Sequence, residues 1–549
     1  MNLTMIQLMT LLIFTLLLGC TKENEKKQIE RPRLVVGIVV DQMRADYLDR
    51  FNVHFGEGGF NRLLRNGFNH KNIHYNYVPT ATACGHSSIF TGSTPSSHGI
   101  IGNSWYDREL NKEITSVEDA EEGIIGLSHV MTDSSRPTAS PKRLMSNTFS
   151  DELKLVNEKS KVIGVSLKDR GAVLPVGHSA DYAIWYDMLY GEMITSTYYA
   201  SEAPTWLTKF NSRKLPDSLL SQTWNPLRPL QDYQASEVDD SPYEKLYQGK
   251  ESATFPYDLS SLRKENGDFE LLMETPYGNT LVTEIAIEAI TSEQLGKDEV
   301  MDFLSVSYSS TDLVGHAFGI RSKEIEDTYA RMDLELERLF SFLDEEVGED
   351  QYLVFLTADH GAGDNPLYLQ DKKVSGGFYS QSEIKSVTDS LLAPFMKAKN
   401  ALLHYGYNQI YLTDEAKLLV SNDENVKEEL LKTYRNIDGV KSAHYLGDLD
   451  RYANPSSDVS AITNGYYAEN SGDIHLVFQP GWMESRAHGT THGTFYNYDT
   501  HVPLLWYGWN IEKGECNTEH SITSIAPTLS KLLDIPLPNQ SSKKTMELE

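Results

Sequence analysis

The sequence has little cysteine and little positive charge. Only three cysteines occur in 549 residues, which excludes a fold held together by a framework of disulfides. The sequence leaves open whether two of them, Cys84 and Cys516, form a pair. Its 49 lysine and arginine residues face 78 aspartate and glutamate residues, which gives a formal net charge of −29. A nucleic acid duplex is therefore an unfavourable partner, because the overall field of the protein repels polyanions.

Long apolar runs are also scarce. Residues 5–18 are mostly apolar but form too short a run for a comfortable membrane span, and they lead into Leu17-Leu18-Gly19-Cys20. This pattern is typical of a signal peptide that ends in a lipobox, after which bacterial lipoproteins are cleaved and lipidated on cysteine. We predict a signal peptide at 1–19, a lipidated Cys20 as the only membrane contact, a tether at 20–33 and a folded body at 34–549, exported to the periplasm or cell envelope. An uncleaved apolar anchor is the alternative.

Short apolar runs rich in β-branched residues are what the chain does contain. Such runs predict strands that are buried on both faces, as in a parallel central sheet. Five of them occur, at residues 34–40, 161–166, 303–308, 352–357 and 474–478. Helical patterns lie between them, for example at 279–290 and 323–343. The alternation predicts an α/β fold, with a doubly wound, mainly parallel central sheet flanked by helices.

Two segments interrupt this alternation and are predicted to be insertions near the site. The first, at about 190–274, is rich in Tyr, Trp, Pro and Ser and shows little periodicity. The second, at about 368–468, contains a helical pattern at 383–403, a strand at 410–412, a helix at 425–435 and a strand at 440–446. We interpret the second segment as a small α+β lid.

Residues that bind metals or anions follow the carboxyl ends of the predicted strands, where open α/β sheets place their sites. Three carboxylates and three imidazoles occur there: Asp41, Asp312, His316, Asp359, His360 and one late histidine among His488, His492 and His501. Such a set suits two zinc ions with three protein ligands each. Asp312 and His316 are four residues apart, so one helical turn would direct both at one ion.

A polar turn followed by a helical pattern spans residues 77–88. If the helix starts near Ala83, the Thr82 hydroxyl lies at its amino end, beside unpaired N–H groups and the positive end of the helix dipole. That position favours an alkoxide and a bound phosphate. An ordinary threonine cap is the alternative interpretation.

Taken together, these motifs resemble the alkaline phosphatase superfamily, and within it the PafA-type bacterial alkaline phosphatases that use a threonine nucleophile. The likeness covers nearly all of the mature chain. It is carried by Val-Val-Asp41-Gln-Met, Thr-Ala-Thr82-Ala-x-Gly-His, Gly102-Asn103, Ser-Leu-Lys168-Asp-Arg170-Gly-Ala, Ser-Thr-Asp312-x-x-Gly-His316, Ala-Asp359-His360-Gly, Gly-Thr-Thr-His492-Gly and Tyr-Asp-Thr-His501-Val-Pro. One departure is Cys84, where the family usually has proline.

The resemblance implies zinc-dependent hydrolysis of small phosphate monoesters through a phosphothreonine intermediate, outside the cytoplasm. It implies that one zinc ion takes Asp312, His316 and His492, and that the other takes Asp41, Asp359 and His360, with Thr82 at its open position. It also implies that Asn103, Lys168 and Arg170 bind the phosphate oxygens. His86, His98 and His501 are interpreted as structural residues.

Three alternatives remain beside this hypothesis. Phosphodiesterases and nucleotide pyrophosphatases share the two zinc ions but lack the cationic pair that Lys168 and Arg170 provide. Sulfatases need a Cys/Ser-x-Pro-x-Arg motif, which the residues around Cys84 do not match. A non-catalytic, lipid-anchored protein that binds metals or glycans is the third alternative. The natural monoester and the oligomeric state stay open, with a monomer as the working expectation.

Overall fold

Eleven strands form the central sheet of the computed structural model, which describes residues 31–128, 136–451, 456–484 and 488–548. The predicted signal peptide, Cys20 and most of the predicted tether lie outside the described residues. The strands of the two larger sheets, in chain order, are β1 Leu34–Val40, β2 Phe68–His74, β3 Ile124–Ile125, β4 Val162–Ser166, β5 Tyr182–Asp187, β6 Glu192–Ser196, β7 Asp302–Tyr308, β8 Tyr352–Thr357, β9 Leu402–Gly406, β10 Gln409–Leu412, β11 Val440–Tyr445, β12 Ile474–Phe478, β13 His501–Gly508, β14 Gly514–Cys516 and β15 His520–Ser521.

The central sheet has the order β14-β2-β13-β8-β1-β7-β4-β5-β6-β3, and β15 also pairs with β2. The five neighbours β8, β1, β7, β4 and β5 are parallel. Every residue of β1 is buried, as expected for a strand covered on both faces. β13 pairs antiparallel with both β8 and β2. The sheet is therefore mainly parallel around β1, and the predicted α/β fold class is confirmed.

Helices flank this sheet and separate most of its strands along the chain. The longer ones are α1 Thr82–Thr91, α2 Phe149–Val156, α3 Asp169–Val176, α4 Thr205–Ser212, α5 Tyr277–Glu293, α6 Ser310–Phe318, α7 Lys323–Glu346, α8 Gln381–Leu392, α9 Asp414–Asn422, α10 Glu424–Arg435, α11 Ser457–Gly465 and α12 Ile525–Leu533. Short helices span Tyr47–Arg50, Phe60–Asn66, Pro95–His98, Leu215–Leu220, Leu259–Leu262, Pro366–Asp371 and Asn497–Thr500. None of the helices in the described residues is long and apolar enough to cross a membrane.

A second, smaller sheet carries its own apolar core. Its order is β9-β10-β12-β11, and all its pairings are antiparallel. The helices α8 and α10 pack on this sheet's side of the molecule, and their buried residues Ile384 and Leu430 belong to the same core as Ile410 and Leu476. Short two-stranded ribbons complete the described sheets, at Ser104–Asp107 with Lys112–Thr115, Glu118–Asp119 with Thr138–Ala139, Thr223–Trp224 with Tyr257–Asp258, and Gly377–Tyr379 with Trp482–Glu484.

The prediction for residues 474–478 was wrong. This run is β12 of the smaller sheet, antiparallel to β10 and β11, and not a fifth strand of the parallel sheet. Its continuous apolar pattern arises because two clusters cover opposite faces. Leu476 and Phe478 belong to the core of the smaller sheet, whereas Val477 packs with Ile462 of α11. Burial on both faces shows in the sequence, but the identity of the sheet does not.

Two element boundaries also differ from the prediction. The helix expected at 383–403 ends at Leu392, just before Pro394, and β9 begins at Leu402. Pro394 has no backbone N–H to continue the helical hydrogen bonds, so the sequence contained this stop signal. In the first insertion, residues 192–196 form β6 of the central sheet.

Candidate active site

The carboxyl ends of β8, β1, β7 and β4 meet at one edge of the central sheet and present the predicted site residues there. Asp359 follows β8 and Asp41 follows β1. Asp312 lies on α6, which begins two residues after β7, and Lys168 follows β4 as the residue before α3. Parallel neighbours end at the same edge, so four chain segments far apart in sequence converge.

The first cluster at this edge consists of Asp41, Asp359 and His360, all buried. The His360 Nε2 atom lies 3.5 Å from Asp41 Oδ1 and 3.5 Å from Asp359 Oδ2. The other ring nitrogen, Nδ1, bonds the Gly361 carbonyl at 3.0 Å, which fixes the ring orientation. Asp41 Oδ1, Asp359 Oδ2 and His360 Nε2 are buried and have no hydrogen-bond partner. Three buried ligand atoms that converge without partners fit a metal ion.

The second cluster brings Asp312, His316 and His492 together. Asp312 Oδ1 lies 3.1 Å from His316 Nε2 and 3.7 Å from His492 Nε2. Each imidazole uses its Nδ1 atom to bond a backbone carbonyl, that of Thr490 for His316 and that of Thr80 for His492. Such bonds direct Nε2 toward a metal, as in many histidine ligands. His316 and Asp312 both lie on α6, one turn apart.

The two clusters adjoin one another. The rings of His360 and His492 are stacked, with 3.5 Å between their centroids and 13° between their planes. Asp312, His360 and His492 also place three ligand atoms within 4.8 Å of one another. The described residues thus contain two adjoining groups that could hold metal ions, with His360 between them.

Burial and like charges control the protonation of these groups. Burial raises the pKa of Asp359 to about 6 and raises that of Asp41 well above its usual range, with the nearby Asp359 carboxylate adding to the effect. Burial would also raise the pKa of Asp312, but His316 and Lys168 hold it well below its usual range. Burial lowers the pKa of His360 to about 3, so its imidazole is neutral, which is the form that binds metals.

The hydroxyl of Thr82 lies at the start of α1, because the helix begins at Thr82 itself. Its Oγ1 atom is 3.4 Å from the Lys168 ammonium. The same ammonium lies 2.5 Å from Asp41 Oδ2 and 2.6 Å from Asp312 Oδ2. Lys168 therefore joins the two carboxylate-bearing clusters beside the hydroxyl of Thr82, and its charge compensates theirs in a buried setting.

Gly85 allows α1 to pack closely on the segment that carries Asp359. A Cβ atom added at Gly85 would lie 2.3 Å from the backbone oxygen of Asp359. One turn of helix after Thr82, the chain thus has no room for any side chain. The Thr-x-x-Gly-His spacing holds the Thr82 hydroxyl at a fixed distance from the first cluster. His86, the next residue, bonds the Thr82 carbonyl and Ser307 with its two ring nitrogens.

Asn103 lies at the same helix end, and the charge of Arg170 acts on residues beside it. Asn103 Oδ1 accepts a hydrogen bond from the Ala83 N–H at 2.8 Å, so one free N–H group of α1 is satisfied and the Asn103 amide is oriented. Arg170, on the first turn of α3, has a buried Nε atom without a hydrogen-bond partner. Its charge acts on Lys168, which contacts Thr82, and on Tyr407, which contacts Asn103.

Two residues of this region were not predicted from the sequence. Gln42 has a positive φ of 65°. Its backbone N–H donates to Asp359 Oδ1 at 3.1 Å, and its side-chain amide donates to Asp312 Oδ1. Gln42 therefore holds one carboxylate of each cluster. Its position directly after Asp41 was the available signal, although the unusual backbone conformation does not show in a sequence.

Tyr407 is the second unpredicted residue. It lies in the turn between β9 and β10, and its hydroxyl accepts a hydrogen bond from the Asn103 N–H. A cavity of about 250 Å³ between the smaller sheet and the His492 loop is lined by both Tyr407 and His492. Tyr407-Asn408 between two apolar runs is a hairpin signal, but nothing local indicates that the turn reaches the site.

The remaining predicted histidines and Cys84 have structural surroundings. His98 bonds Ser88 and the Ile100 N–H, and His501 begins β13 and bonds the Lys71 carbonyl. Cys84 is buried in α1, and Cys84 and Cys516 are both free thiols. Cys84 and Cys516 therefore do not form a disulfide with each other.

Comparison with known proteins gives consistent likenesses. The family model for type I phosphodiesterase/nucleotide pyrophosphatase matches residues 35–508. Alkaline phosphatase PhoV of Synechococcus elongatus is 40% identical over 519 residues, which cover 94% of this chain and 93% of that protein. Alkaline phosphatase PafA of Elizabethkingia meningoseptica is 41% identical over 541 residues, which cover 97% of this chain and 96% of that protein.

Two crystal structures of alkaline phosphatase PafA match the whole fold. One is the wild type, and the other is a variant changed at one threonine, one asparagine, one lysine and one arginine. Each has a TM-score of 0.88 and 40% sequence identity, and covers 94% of this chain and 98% of the solved chain. The large, mainly parallel sheet flanked by helices is the architecture that they share with this chain.

Proposed function

The chain belongs to the type I phosphodiesterase/nucleotide pyrophosphatase family of the alkaline phosphatase superfamily, and from this premise we propose that it is an alkaline phosphatase that hydrolyses phosphate monoesters with Thr82 as nucleophile and two zinc ions. The observation that carries the proposal is the position of Lys168, within 3.4 Å of the Thr82 hydroxyl and bonded to carboxylates of both ligand clusters. A nucleophile, a cation and two metal-binding clusters then share one edge of the sheet.

The ligands divide into two sets. Asp312, His316 and His492 would hold one zinc ion, and Asp41, Asp359 and His360 would hold the other, with Thr82 at its open position. Carboxylate and imidazole ligands suit zinc. The buried atoms of Asp41, Asp359 and His360 that have no hydrogen-bond partner support this assignment. Zinc bound there would supply Lewis-acid stabilisation of the negative charge that develops on the Thr82 oxygen and on the leaving oxygen.

Thr82 carries the covalent step in this proposal. Its Oγ1 atom attacks phosphorus, the new O–P bond forms as the bond to the leaving alcohol oxygen breaks, and the leaving group takes up a proton. Water then hydrolyses the phosphothreonine and releases inorganic phosphate, so configuration at phosphorus is retained after two displacements. A threonine hydroxyl is a poor nucleophile at neutral pH and needs such activation. The positive end of α1 favours the alkoxide and the bound phosphate.

Lys168, Arg170 and Asn103 bind the non-bridging phosphate oxygens in this proposal. A monoester dianion carries more charge than a diester, so a lysine and an arginine at the site favour monoesters. The variant PafA structure was changed at a threonine, an asparagine, a lysine and an arginine, the residue types of Thr82, Asn103, Lys168 and Arg170. Its threonine and asparagine are as far apart in sequence as Thr82 and Asn103, and its lysine and arginine are as far apart as Lys168 and Arg170. That correspondence supports the choice of these four residues.

A phosphodiesterase or nucleotide pyrophosphatase is the second candidate, because the matching family model carries that description. The same clusters and the same Thr82 would serve it. The buried Lys168 and the neighbouring Arg170 favour the monoesterase, since a diester has less charge for two cations to neutralise. A binding protein without catalysis would not need a hydroxyl at the amino end of α1 beside these clusters.

We further propose that the chain is exported and anchored at a lipidated Cys20. The support for this part is the apolar run at 5–18 and the lipobox-like Leu17-Leu18-Gly19-Cys20. The substrates would then be small phosphomonoesters outside the cytoplasm.

A paired assay tests the proposed activity. The purified chain is given an aryl phosphate monoester and, separately, the matching diester, each with and without a zinc chelator. We expect strong monoester preference that chelation abolishes and added zinc restores. A preference for the diester would instead support the phosphodiesterase hypothesis. If the zinc-loaded chain hydrolyses neither substrate, the hypothesis of a binding protein without catalysis would remain.

A further inference from the structure

A third group of ligand-type side chains lies away from the active site, at one end of the central sheet. It consists of His70 on β2, Cys516 at the end of β14 and His520 at the start of β15. One ring nitrogen of each histidine and the Cys516 sulfur lie within 4.8 Å of one another. The strands β13 and β8 separate β2 from the segment that carries Asp41, so this group is independent of the two catalytic clusters.

Strand pairing explains why these three residues meet. Both β14 and β15 pair with β2, and His70 and Cys516 are partners in the register. Residues at paired positions of neighbouring strands point to the same face of the sheet. The three residues 517–519 connect β14 to β15, and His520 pairs with Ile73 of β2. The register of β2 shifts between His70 and Ile73, which breaks the regular alternation of faces there, and the ring centroids of His70 and His520 lie 5.6 Å apart. The short connection thus places Cys516 and His520 over the same part of β2.

His70 has a nitrogen atom available for a ligand bond. The side chain is buried, its Nε2 atom bonds the Glu547 carbonyl at 3.1 Å, and its Nδ1 atom is buried without a hydrogen-bond partner. A buried imidazole nitrogen without a partner is costly, and a metal ion would remove that cost.

We propose that His70, Cys516 and His520 form a structural metal site for a divalent ion that binds thiolate and imidazole, with zinc as the first choice. Cysteine thiolate and histidine imidazole are both ligands that bind zinc in proteins. Ligand atoms about 2.0–2.3 Å from a tetrahedral metal lie roughly 3.3–3.8 Å apart, so small side-chain rotations close the present separation. The exposed carboxylate of Glu547, whose backbone carbonyl bonds His70, or water would complete the fourth position.

The site would fasten the end of the chain to the central sheet. The terminal segment already bonds His70 through the Glu547 carbonyl, and the Met546 N–H donates to the Thr528 hydroxyl of α12. A metal ion would add a link between β2 and the short edge strands β14 and β15. Short edge strands gain few ladder hydrogen bonds of their own, so such a link stabilises this part of the sheet without contributing to hydrolysis.

Cobalt(II) substitution distinguishes this site from the catalytic one. A thiolate ligand gives cobalt(II) an intense charge-transfer band in the near ultraviolet, whereas the proposed catalytic ligands include no sulfur. We expect the full chain loaded with cobalt(II) to show this band and Cys516→Ser to lose it, while Cys84→Ala and Cys20→Ala retain it. Absence of the band in the wild-type chain at saturating cobalt(II), or its persistence in Cys516→Ser, would overturn the proposal.

Metal counting and turnover supply a second, independent reading. After zinc loading and removal of free metal, Cys516→Ser and His520→Gln should each bind one ion per chain fewer than the wild type. Phosphomonoester turnover at the assay temperature should be the same in both variants as in the wild type. The midpoint of thermal unfolding should be lower in both variants than in the wild type, and removal of the metal ion from this site should lower the midpoint only in the wild type. Equal metal content in the wild type and both variants would contradict the proposal.

Discussion

The hydroxyl of Tyr407 accepts a hydrogen bond from the backbone N–H of Asn103, with 3.1 Å between the two heavy atoms. The contact joins the turn of the smaller sheet to the residue whose side chain bonds the Ala83 N–H of α1. Gly102 makes the approach possible, since a Cβ atom added there would lie 2.7 Å from the Tyr407 ring. The smaller sheet therefore helps to orient Asn103.

Tyr407→Phe should lower kcat/KM for a phosphate monoester about fivefold. The variant keeps the ring but leaves the Asn103 N–H without its acceptor, which costs about 1 kcal/mol. Steady-state kinetics measures the effect. Tyr405→Phe is the matched control, because the Tyr405 hydroxyl bonds Asn408 in the same hairpin and does not touch Asn103. Equal effects of the two variants would show that the hairpin, and not the contact with Asn103, is responsible.

Thr82→Ala should reduce monoester turnover by a factor on the order of 10³ or more, because it removes the proposed nucleophile. Metal content should be unchanged, since the two carboxylate and imidazole clusters remain. Thr91→Val is the control: Thr91 ends the same helix, and its hydroxyl bonds the Ser87 carbonyl. Turnover of Thr82→Ala near the wild-type rate, with the metal sites filled, would disprove the assignment of the nucleophile.

The double variant Lys168→Ala, Arg170→Ala should lose far more activity on monoesters than on diesters. Two cations stabilise the more highly charged monoester, so their removal narrows the ratio of kcat/KM between the two substrates. The measurement is that ratio for matched aryl substrates. Lys154→Ala is the control, because Lys154 pairs with Asp181 at 2.8 Å outside the site. Equal proportional losses on both substrates would remove the argument for a monoesterase.

The core of the fold and the positions of the site residues at the sheet edge could be predicted from the sequence. The run at 34–40 is buried throughout and leads to Asp41, and the spacing of Asp312 and His316 corresponds to one helical turn. Both signals are local, since they depend on periodicity and on the residue that follows a strand. The same local reasoning assigned residues 474–478 to the wrong sheet, because burial does not identify the strand's neighbours.

Contacts between distant segments could not be predicted. Tyr407 reaches Asn103 across 304 residues of sequence, and His70 and Cys516 meet only because β14 pairs with β2. Gln42 stands beside a predicted ligand, but its contact with Asp312 depends on a positive φ and on where α6 begins. Each of these relationships is set by tertiary packing, which a single sequence records only indirectly.

Gln42→Leu should weaken metal binding at the Asp312 cluster by roughly 10- to 100-fold, as expected when a residue that orients a metal ligand is lost. The variant removes the amide donor to Asp312 Oδ1 but keeps the backbone N–H that donates to Asp359. Turnover should recover as zinc is raised, and the zinc concentration at half-activation is the measured quantity. Gln409→Leu, which removes a bond to Gly472 in the smaller sheet, should leave that concentration unchanged. If Gln42→Leu also leaves it unchanged, Gln42 does not orient Asp312.

The ionisation of Asp499 should lower the free energy of unfolding as the pH rises from about 4 to about 7. Burial raises the pKa of this carboxyl to about 7 in the folded chain, against about 3.9 when unfolded. Between these values the folded state binds more protons than the unfolded state, so its stabilising contribution is complete below about pH 4 and is lost as the pH rises through 7. Only Asp499 Oδ2 is bonded, to the Thr494 N–H and hydroxyl, and Oδ1 is buried without a partner.

Asp499→Asn keeps an oxygen for Thr494 and cannot ionise, so it isolates this carboxyl. We expect the unfolding free energy of the wild type, minus that of Asp499→Asn, to fall between about pH 5 and pH 7 and to level off above pH 8, as measured by denaturant titration. Asp414→Asn, at an exposed helix start, serves as the control, because it makes the same chemical change on the surface of the protein. A difference that rises with pH would mean that the folded state favours the ionised carboxylate of Asp499, with the Thr494 bonds outweighing burial.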